Sequence, residues 1–170
     1  MKTRQPDRDV PGPGAPWNEI APRLWMGGHY WSGPDGLELA VVEYQFDTVI
    51  SLVDIPGHGP APGVEHHCAP VPDGPLNAAQ LAAVLALCDT AVAAHRAGRT
   101  TLVRCHSGYN RSGLVVAQTL ISLGRPADQA IALIRSRRSP WALHNDLFVD
   151  YLTTGLETAQ LLTSLGAPEI

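Results

Sequence analysis

A short polar loop separates an apolar strand from an apolar helix near the middle of this chain. The segment reads LVRCHSGYNRSGLVV, residues 102–116, and places Cys105 and Arg111 on either side of the loop. In α/β proteins a strand ending at Cys105 delivers it to the sheet edge where ligands bind. Gly108 permits a tight turn, so that backbone amides of residues 106–111 can converge. We therefore expect an anion-binding loop at the positive end of a helix dipole.

The same loop carries the groups needed for covalent phosphate transfer. A positive field favours the thiolate form of Cys105, which is the nucleophilic form. The planar guanidinium of Arg111 fits two oxygens of a phosphate, and the Ser112 hydroxyl can donate to the sulfur when it leaves. The residues expected to bind the substrate phosphate are His106, Ser107, Gly108, Tyr109, Asn110 and Arg111.

The motif formed by Cys105, Gly108, Arg111 and Ser112 resembles the C-x-x-G-x-x-R-[ST] signature of the cysteine-dependent protein tyrosine phosphatases, especially the small dual-specificity branch. The resemblance implies a phosphoprotein phosphatase that uses a cysteinyl-phosphate intermediate and needs neither a cofactor nor a metal. It implies hydrolysis of phosphotyrosine, with phosphoserine and phosphothreonine left open. Members usually have histidine before the cysteine, whereas this chain has Arg104.

A phosphatase of this kind needs a general acid, which is typically worth about 10²–10⁴-fold in rate. The resemblance implies an Asp on a loop roughly thirty residues before the cysteine, and Asp73 in VPDGPLN fits. The alternative for Asp73 is a turn residue, since Asp-Gly is common in turns. Asp54 in SLVDIPG is the competing carboxylate, and Asp89 falls in a helical pattern and is expected to be solvated.

The C-terminal part of the chain resembles the closing helices of the same branch, and the whole resemblance covers residues 17 to about 152. Asn145 is expected either to hydrogen-bond behind the phosphate loop, as the resemblance implies, or to cap a helix. An arginine cluster before it is expected to be a solvated face, with a second phosphate site as the alternative. The cluster comprises Arg135, Arg137 and Arg138.

Two other functions stay open at this stage. The run Tyr109-Asn110-Arg111-Ser112 also resembles the RNA 5′-triphosphatase branch of the superfamily. A phosphate-binding pseudophosphatase is the non-enzymatic alternative, and Arg104 is the feature that favours it. The resemblance also disfavours a phosphoinositide substrate, because relatives that act on phosphoinositides usually carry lysines at the variable loop positions, and this chain has no lysine or arginine there.

The remaining cysteines and histidines give weaker signals. His66 and Cys68 would share one face of a strand and His67 the other, which gives a metal site little support. These positions are expected to be buried near the active site. A disulfide between Cys68 and Cys105 under oxidation is a minor alternative. Cys88 lies on the apolar face of a helix and is expected in the core.

Strands that alternate with helices predict an α/β fold with a central, mostly parallel twisted sheet of about four to five strands flanked by helices. Strands are predicted in IAPRLWMGG, FDTVISLV, VEHHCAPV and TTLVRC. A short helix is predicted over roughly Leu37 to Tyr44, and a long one from an Asn77 cap to Gly98. Further helices are predicted in SGLVVAQTLISLG, PADQAIALIRSRR and one or two segments over roughly Trp141 to Ser164.

The composition of the chain limits its domain organisation, its cellular location and its partners. Residues 1–16 are rich in Pro and Gly and are expected to form a flexible tail before a single catalytic domain, residues 17–170. The net charge of -4 makes nucleic acid an unlikely partner. Three cysteines form no disulfide framework, and no long apolar run or apolar N-terminal signal region occurs. We expect a cytoplasmic protein, not associated with membranes, whose partner is a phosphorylated protein or peptide and whose oligomeric state is open.

Overall fold

The protein is built around a five-stranded sheet in a computed structural model that describes residues 10–166. Its strands are β1 (Trp17–Ala21), β2 (Leu24–Gly28), β5 (Thr48–Ser51), β6 (Glu65–Cys68) and β7 (Thr101–Cys105), and a separate hairpin comprises β3 (Tyr30–Gly33) and β4 (Gly36–Leu39). The strand order is β1-β2-β7-β5-β6. All neighbouring pairs are parallel except β1 and β2. The predicted mostly parallel sheet is confirmed.

Helices cover one face of the sheet, and a smaller apolar layer covers the other. The helices are α1 (Ala78–Arg96), α2 (Arg111–Ser122), α3 (Ala127–Arg137), α4 (Asp146–Thr154) and α5 (Leu156–Gly166). Ile50 and Val103 point into the main core with these helices. Their strand neighbours Val49 and Leu102 point the other way, into a second cluster with Phe46.

Helix α1 begins at the predicted cap, Asn77. Asn77 accepts a hydrogen bond from the Gln80 amide, and the Gln80 side chain accepts one from the Asn77 amide, which forms a capping box. By length and composition alone α1 could cross a membrane, since it has 19 residues and a mean hydropathy of 1.4. It packs against α2 and α5, however, and its buried residues include Leu81 and Val84, as in the core helix of a globular domain.

The first predicted strand, IAPRLWMGG, is in fact parts of two strands. Pro22 and Arg23 lie between β1 and β2, and Arg23 has φ of 63°. Proline followed by a residue with positive φ is the pattern of a tight type II turn. The turn reverses the chain, so that β1 becomes the antiparallel edge strand.

The helix predicted over Leu37–Tyr44 is wrong. Residues 36–39 form β4, which pairs with β3 across a turn at Pro34 and Asp35, and residues 40–44 are not helical. The sequence carries the hairpin signal, because Pro-Asp-Gly favours a turn and Leu37 and Leu39 alternate with polar or small residues. Both leucines are exposed in the hairpin.

The predicted flexible tail overlaps an ordered segment. Residues 1–9 of that tail lie outside the described residues, but residues 10–16 pack on the domain. The carbonyl of Pro11 accepts from the Tyr109 hydroxyl at 2.7 Å, and the carbonyl of Pro16 accepts from the Gly28 amide at 3.2 Å. These contacts place the segment directly behind the loop that follows β7.

Candidate active site

The loop after β7 lies at the centre of the carboxyl edge of the sheet. Strand β7 is bordered by β2 and β5, and it ends at Cys105, which is buried. The Cys105 thiol donates to the Ser112 Oγ atom at 3.3 Å, across the loop and within the first turn of α2. Ser112 is thus placed to hydrogen-bond the sulfur, as the sequence predicts.

The backbone of this loop is held in a tight curve. The His29 amide donates to the carbonyls of Cys105 and His106, both at 2.9 Å. Gly108 has φ of +76°, and a Cβ atom there would lie 2.5 Å from the Gly27 carbonyl oxygen. Glycine is therefore needed at position 108 both for its conformation and for the close approach of strand β2.

A buried guanidinium braces the loop from behind. Arg138 donates to the carbonyl oxygens of Ser107 at 3.0 Å and Gly108 at 3.1 Å. It also donates to the Ala15 carbonyl and to Asn18 Oδ1, both at 2.8 Å. Burial lowers the pKa of Arg138 to about 10, so that it keeps its positive charge at neutral pH. With the loop carbonyls turned back toward Arg138, the loop amides can face the opposite side.

The opposite side is a small pocket lined by Asp73, Cys105, His106, Ser107, Tyr109, Asn110 and Arg111. Arg111 donates through Nη1 to the Val71 carbonyl at 3.2 Å, while its buried Nε has no partner among the described residues. No side chain caps the N-terminus of α2, which begins at Arg111. The pocket therefore combines an unpaired guanidinium donor, a helix N-terminus and a thiol, a combination suited to an oxyanion.

Asp73 is among the residues that line this pocket. Its Oδ2 accepts from Asn110 Nδ2 at 3.0 Å and its Oδ1 from Asn145 Nδ2 at 2.7 Å. A carboxyl group in this position can deliver a proton to a group leaving from a phosphate held on the loop. The competing carboxylate, Asp54, lies instead in a neighbouring open groove that Arg111 also borders.

The similarity of this chain to known proteins lies in its structure. No family model matches the sequence, and no curated protein matches it. The structure of human DUSP28 matches with a TM-score of 0.65 and 26% sequence identity over 89% of this chain and 99% of that one. A mouse putative dual specificity phosphatase complexed with zinc tungstate matches with a TM-score of 0.62 and 26% identity, over 85% and 90% of the two chains. Tk-PTP in its active form is similar in fold, with a TM-score of 0.59 and 22% identity over 81% and 96%.

The fold is that of the cysteine-dependent protein tyrosine phosphatases, of the dual-specificity type. The neighbours support a phosphatase of this superfamily. We call residues 105–111, which the motif predicts to bind phosphate, the phosphate loop.

The predicted phosphate-binding residues do not all contribute in the same way. Tyr109 and Asn110 border the pocket, but both are buried and their side chains bond elsewhere. The Tyr109 hydroxyl donates to the Pro11 carbonyl, and the Asn110 amide donates to Asp73. Tyr109 and Asn110 therefore contribute their backbone, and not their side chains, to the loop, while Gly108 allows the tight turn.

The arginine cluster is only partly a solvated face. Arg135 and Arg137 are exposed, as expected, but Arg138 is the buried brace of the phosphate loop. The sequence held a signal for this difference, because Arg138 follows the buried Ile131 and Ile134 by seven and four residues, on the same helix face. Asn145 caps α4 by accepting from the Leu147 amide, which is one of its two predicted roles. Its side-chain amide donates to Asp73, and its backbone amide donates to Asn110 Oδ1.

Arg104, the departure from the family pattern, faces away from the pocket. It lies on the opposite side of β7 from Cys105 and is fully buried. Its guanidinium donates to Ser51 Oγ at 3.0 Å and to the carbonyls of His58 at 3.0 Å and Gly59 at 2.7 Å. Burial lowers the pKa of Arg104 to about 10. The residue ties the loop after β5 to the sheet and leaves the pocket unobstructed.

The expectation for β6 needs correction. His66 and Cys68 are exposed because β6 is an edge strand. His66 bonds Ser51 Oγ at 2.8 Å, and His67 bonds Glu65 Oε1 at 2.7 Å. Cys68 is two strand spacings from β7, about 10 Å, which is too far for a disulfide with Cys105 without backbone movement. On α1, Cys88 is buried in the core as predicted.

The requirement for glycine in the phosphate loop can be tested with a matched pair of variants. Gly98 has φ of +71°, close to that of Gly108, but a Cβ there would meet nothing within 4 Å. Gly108→Ala and Gly98→Ala should each lose about 1–2 kcal/mol of stability to the left-handed backbone. Only Gly108→Ala should also weaken tungstate binding, by about tenfold or more, measured by calorimetry. Equal tungstate affinity in the two variants would contradict the close-approach argument.

A buried histidine beside the loop predicts acid sensitivity. Burial, together with the nearby charges of Arg104 and His58, lowers the pKa of His29 to about 3. The folded protein thus keeps His29 neutral while the unfolded chain takes up a proton near pH 6.5, so the stability contributed is full above about pH 6.5 and is lost progressively toward about pH 3. In urea titrations across this range His29→Asn should lose stability less steeply than the wild type. Parallel pH profiles would refute the assignment.

Proposed function

We propose that the protein is a phosphomonoesterase that hydrolyses phosphotyrosine in proteins through a cysteinyl-phosphate intermediate, with phosphoserine and phosphothreonine as further candidate substrates. The observation that carries the proposal is the pocket itself, which is lined by Cys105, Arg111 and Asp73, with an Arg111 Nε that has no partner among residues 10–166. The fold similarity to dual-specificity phosphatases supports the same reaction class.

In the first step the Cys105 thiolate attacks phosphorus while Arg111 and the loop amides bind the non-bridging oxygens. The sulfur–phosphorus bond forms as the bond from phosphorus to the leaving oxygen breaks. Protonated Asp73 gives its proton to that oxygen, so that a neutral hydroxyl departs. The positive field of the loop offsets the charge that accumulates on the phosphoryl oxygens.

In the second step water replaces the sulfur on phosphorus. Asp73, now ionised, takes a proton from the attacking water. The sulfur–phosphorus bond breaks, and the Ser112 hydroxyl, 3.3 Å from the sulfur, donates to the returning thiolate. Inorganic phosphate leaves and the starting charges are restored. A free thiol of this kind suits a reducing compartment, and we propose the cytoplasm as the location.

The geometry around Arg104 bears on the pseudophosphatase alternative. Human tyrosine phosphatase-like serine/threonine/tyrosine-interacting protein also shares the fold, with a TM-score of 0.59 at 16% identity. In this chain, however, Arg104 bonds Ser51 and the segment at His58, away from Cys105. The one feature that favoured a binding-only role therefore lies outside the pocket, and turnover is the function we propose.

The RNA 5′-triphosphatase alternative rested on the Tyr109-Asn110-Arg111 run. Both Tyr109 and Asn110 are committed to contacts within the protein. Their presence in the motif thus has an explanation that requires no triphosphate. The net charge of -4 likewise offers little to a polyanionic RNA partner.

The proposed function is tested by phosphate release from phosphotyrosine peptide and phenyl phosphate under reducing conditions without added metal. Cys105→Ser should abolish turnover, because the nucleophile is lost. Asp73→Asn should reduce turnover with phenyl phosphate by about 10²–10⁴-fold, because the leaving phenolate is no longer protonated. Rapid quench followed by mass spectrometry should detect the phosphorylated form of Cys105.

Matched controls come from the same chain. Cys68→Ser and Asp89→Asn alter an exposed thiol and an exposed carboxyl outside the pocket, and both should turn over at the wild-type rate. A wild-type protein that binds phosphopeptide but releases no phosphate would replace the proposal with the pseudophosphatase. Release from triphosphate-ended RNA in preference to phosphopeptide would replace it with the RNA 5′-triphosphatase.

A further inference from the structure

Half of the large apolar side chains that are exposed among residues 10–166 lie within one short segment, residues 37–44. They are Leu37, Leu39, Val41 and Tyr44, with exposed fractions of 73%, 58%, 42% and 73%. Single exposed apolar residues are common on protein surfaces, but a group of them on one segment marks a surface that binds a partner. The hairpin of β3 and β4 and the residues after it therefore form a candidate binding surface.

The pairing of the hairpin determines which side chains share a face. Leu39 is paired with Tyr30, and Leu37 is paired with Ser32. Directly paired residues project from the same side of a two-stranded sheet. Burial follows this alternation, since Ser32 and the two leucines are exposed, whereas Trp31 on the other side is half-buried. We call Tyr30, Leu37 and Leu39 the hairpin face.

The hairpin face adjoins the pocket at the phosphate loop. The Tyr30 ring packs on the His106 imidazole, with the two ring centroids 4.8 Å apart. The Tyr30 amide also donates to the His106 carbonyl at 3.2 Å. His106 is an exposed residue of the phosphate loop and lines the pocket. The apolar surface is thus continuous with the pocket, and a polypeptide whose phosphorylated residue enters the pocket has the hairpin face beside it.

The charges on the hairpin and on the segment that follows it are all negative. Asp35 and Glu43 are exposed and Glu38 is half-buried, and the chain has no lysine or arginine between Arg23 and Arg96. An apolar surface with acidic surroundings suits a partner that is apolar with basic flanking residues. It is poorly suited to an anionic lipid surface, which attracts basic segments.

The size of the surface favours a short polypeptide segment over a second copy of the chain. Four side chains on one short segment expose roughly a few hundred Å², whereas a stable interface between two proteins takes about 800 Å² from each partner. A segment that is also held by its phosphorylated residue needs only a few further contacts, since the two contacts act on one molecule.

We propose that the hairpin face docks the substrate protein by binding two apolar side chains that lie near the phosphotyrosine in its sequence. The proposal rests on the proposed function, since it names the substrate segment that the same site takes. It assigns a task to the exposed leucines of β4, which the packing of the domain does not use.

The dimensions of the hairpin give the spacing of these side chains in the substrate. Paired Cβ atoms lie about 5 Å apart across two strands, and alternate residues of one strand about 7 Å apart. Together with the 4.8 Å between the Tyr30 and His106 rings, this places Leu39 about 10 Å and Leu37 about 17 Å from His106 along the hairpin. An extended peptide advances about 3.3 Å per residue, so the two apolar side chains are expected about three and about five residues from the phosphotyrosine. Positions two residues apart also share one side of an extended chain, as the two leucines do.

The experiment measures kcat/KM for phosphotyrosine peptides that differ only at these two positions. One peptide has leucine at the third and fifth residues after the phosphotyrosine, with lysine between them, and its partner has serine in place of both leucines. A second pair carries the same residues before the phosphotyrosine, because the chain direction of the substrate is open. The wild type should prefer the leucine peptide of one pair by about tenfold or more, since leucine side chains leave water on docking.

Two double variants locate the preference on the molecule. Leu37→Ser combined with Leu39→Ser should reduce it to about twofold or less, because the apolar contact is removed. Phenyl phosphate has no flanking residues, and its kcat/KM in this variant should stay within about twofold of the wild type. The control combines Leu161→Ser with Leu162→Ser on α5, where the side chains are 58% and 59% exposed. The control should keep the full preference, since α5 packs on α1 and α4.

Three results would contradict docking on the hairpin face. The first is equal kcat/KM for the leucine and serine peptides in both pairs, and the second is a preference that survives in the double variant of Leu37 and Leu39. The third is a parallel loss with phenyl phosphate, which would mean that the hairpin acts on the pocket itself.

Other occupants of the surface have their own signatures. A dimer of the wild type in analytical ultracentrifugation that the double variant of Leu37 and Leu39 does not form would assign the face to a second copy. Co-sedimentation with phosphatidylserine vesicles that the same variant loses would assign it to a membrane. Either result would refute the proposal.

Failure of the proposed function has a different signature. A wild-type protein without Cys105-dependent turnover of phenyl phosphate and of every peptide is not the phosphatase proposed above. The affinities of the same peptides, measured by calorimetry, would then decide the docking, with the same order expected for the wild type and the two double variants.

Discussion

The phosphate loop can point its amides outward only because its carbonyl oxygens are satisfied behind it. Buried backbone carbonyls without partners would each cost about 1–3 kcal/mol, and a tight loop at the end of a central strand has several. The Arg138 guanidinium donates to the carbonyls of Ser107 and Gly108. The same group also donates to the Ala15 carbonyl and to Asn18 Oδ1. One charged group thus links the N-terminal segment, the edge strand β1 and the end of α3 to the loop. It also adds a positive charge behind the pocket, where Cys105 lies.

Strand β7, which carries Arg104 and Cys105, separates two different environments. Cys105 faces the helices and the pocket, whereas Arg104 faces the layer on the other side of the sheet. There Arg104 bonds two carbonyls and a hydroxyl, with no carboxylate within ion-pair distance among residues 10–166. Neutral acceptors make a buried cation tolerable but leave its charge uncompensated, and that charge contributes to the lowered pKa of His29. The arginine at position 104, where the family pattern has histidine, therefore affects the packing beneath the sheet more than the chemistry of the pocket.

The parts of the site that depend on local pattern were predictable from the sequence, and those that depend on tertiary approach were not. The motif from Cys105 to Ser112 combines strand, loop and helix within one short segment, so its structure follows from neighbouring residues. The Asn77 cap was predictable for the same reason. The contacts of residues 10–16 were not predictable, because composition gives no sign that the Pro11 carbonyl accepts from Tyr109. The helix predicted over residues 37–44 is wrong because the Pro-Asp-Gly turn favours a hairpin there despite the apolar content of the segment.

Asn110 shows why the hydrogen-bond partners of a side chain cannot be inferred from its position in a motif. Its place beside Arg111 suggested that it binds phosphate, yet a loop residue can turn either toward the ligand or toward the protein. Which way it turns depends on partners far along the chain, here Asp73 and Asn145. Once it faces Asp73, an asparagine is well suited to the position, since it donates to a carboxylate while its oxygen accepts from the Asn145 amide. Aspartate could not donate and alanine could do neither. The Asn110 side chain thus links the loop after β7 to the segment that carries Asp73 and to the start of α4.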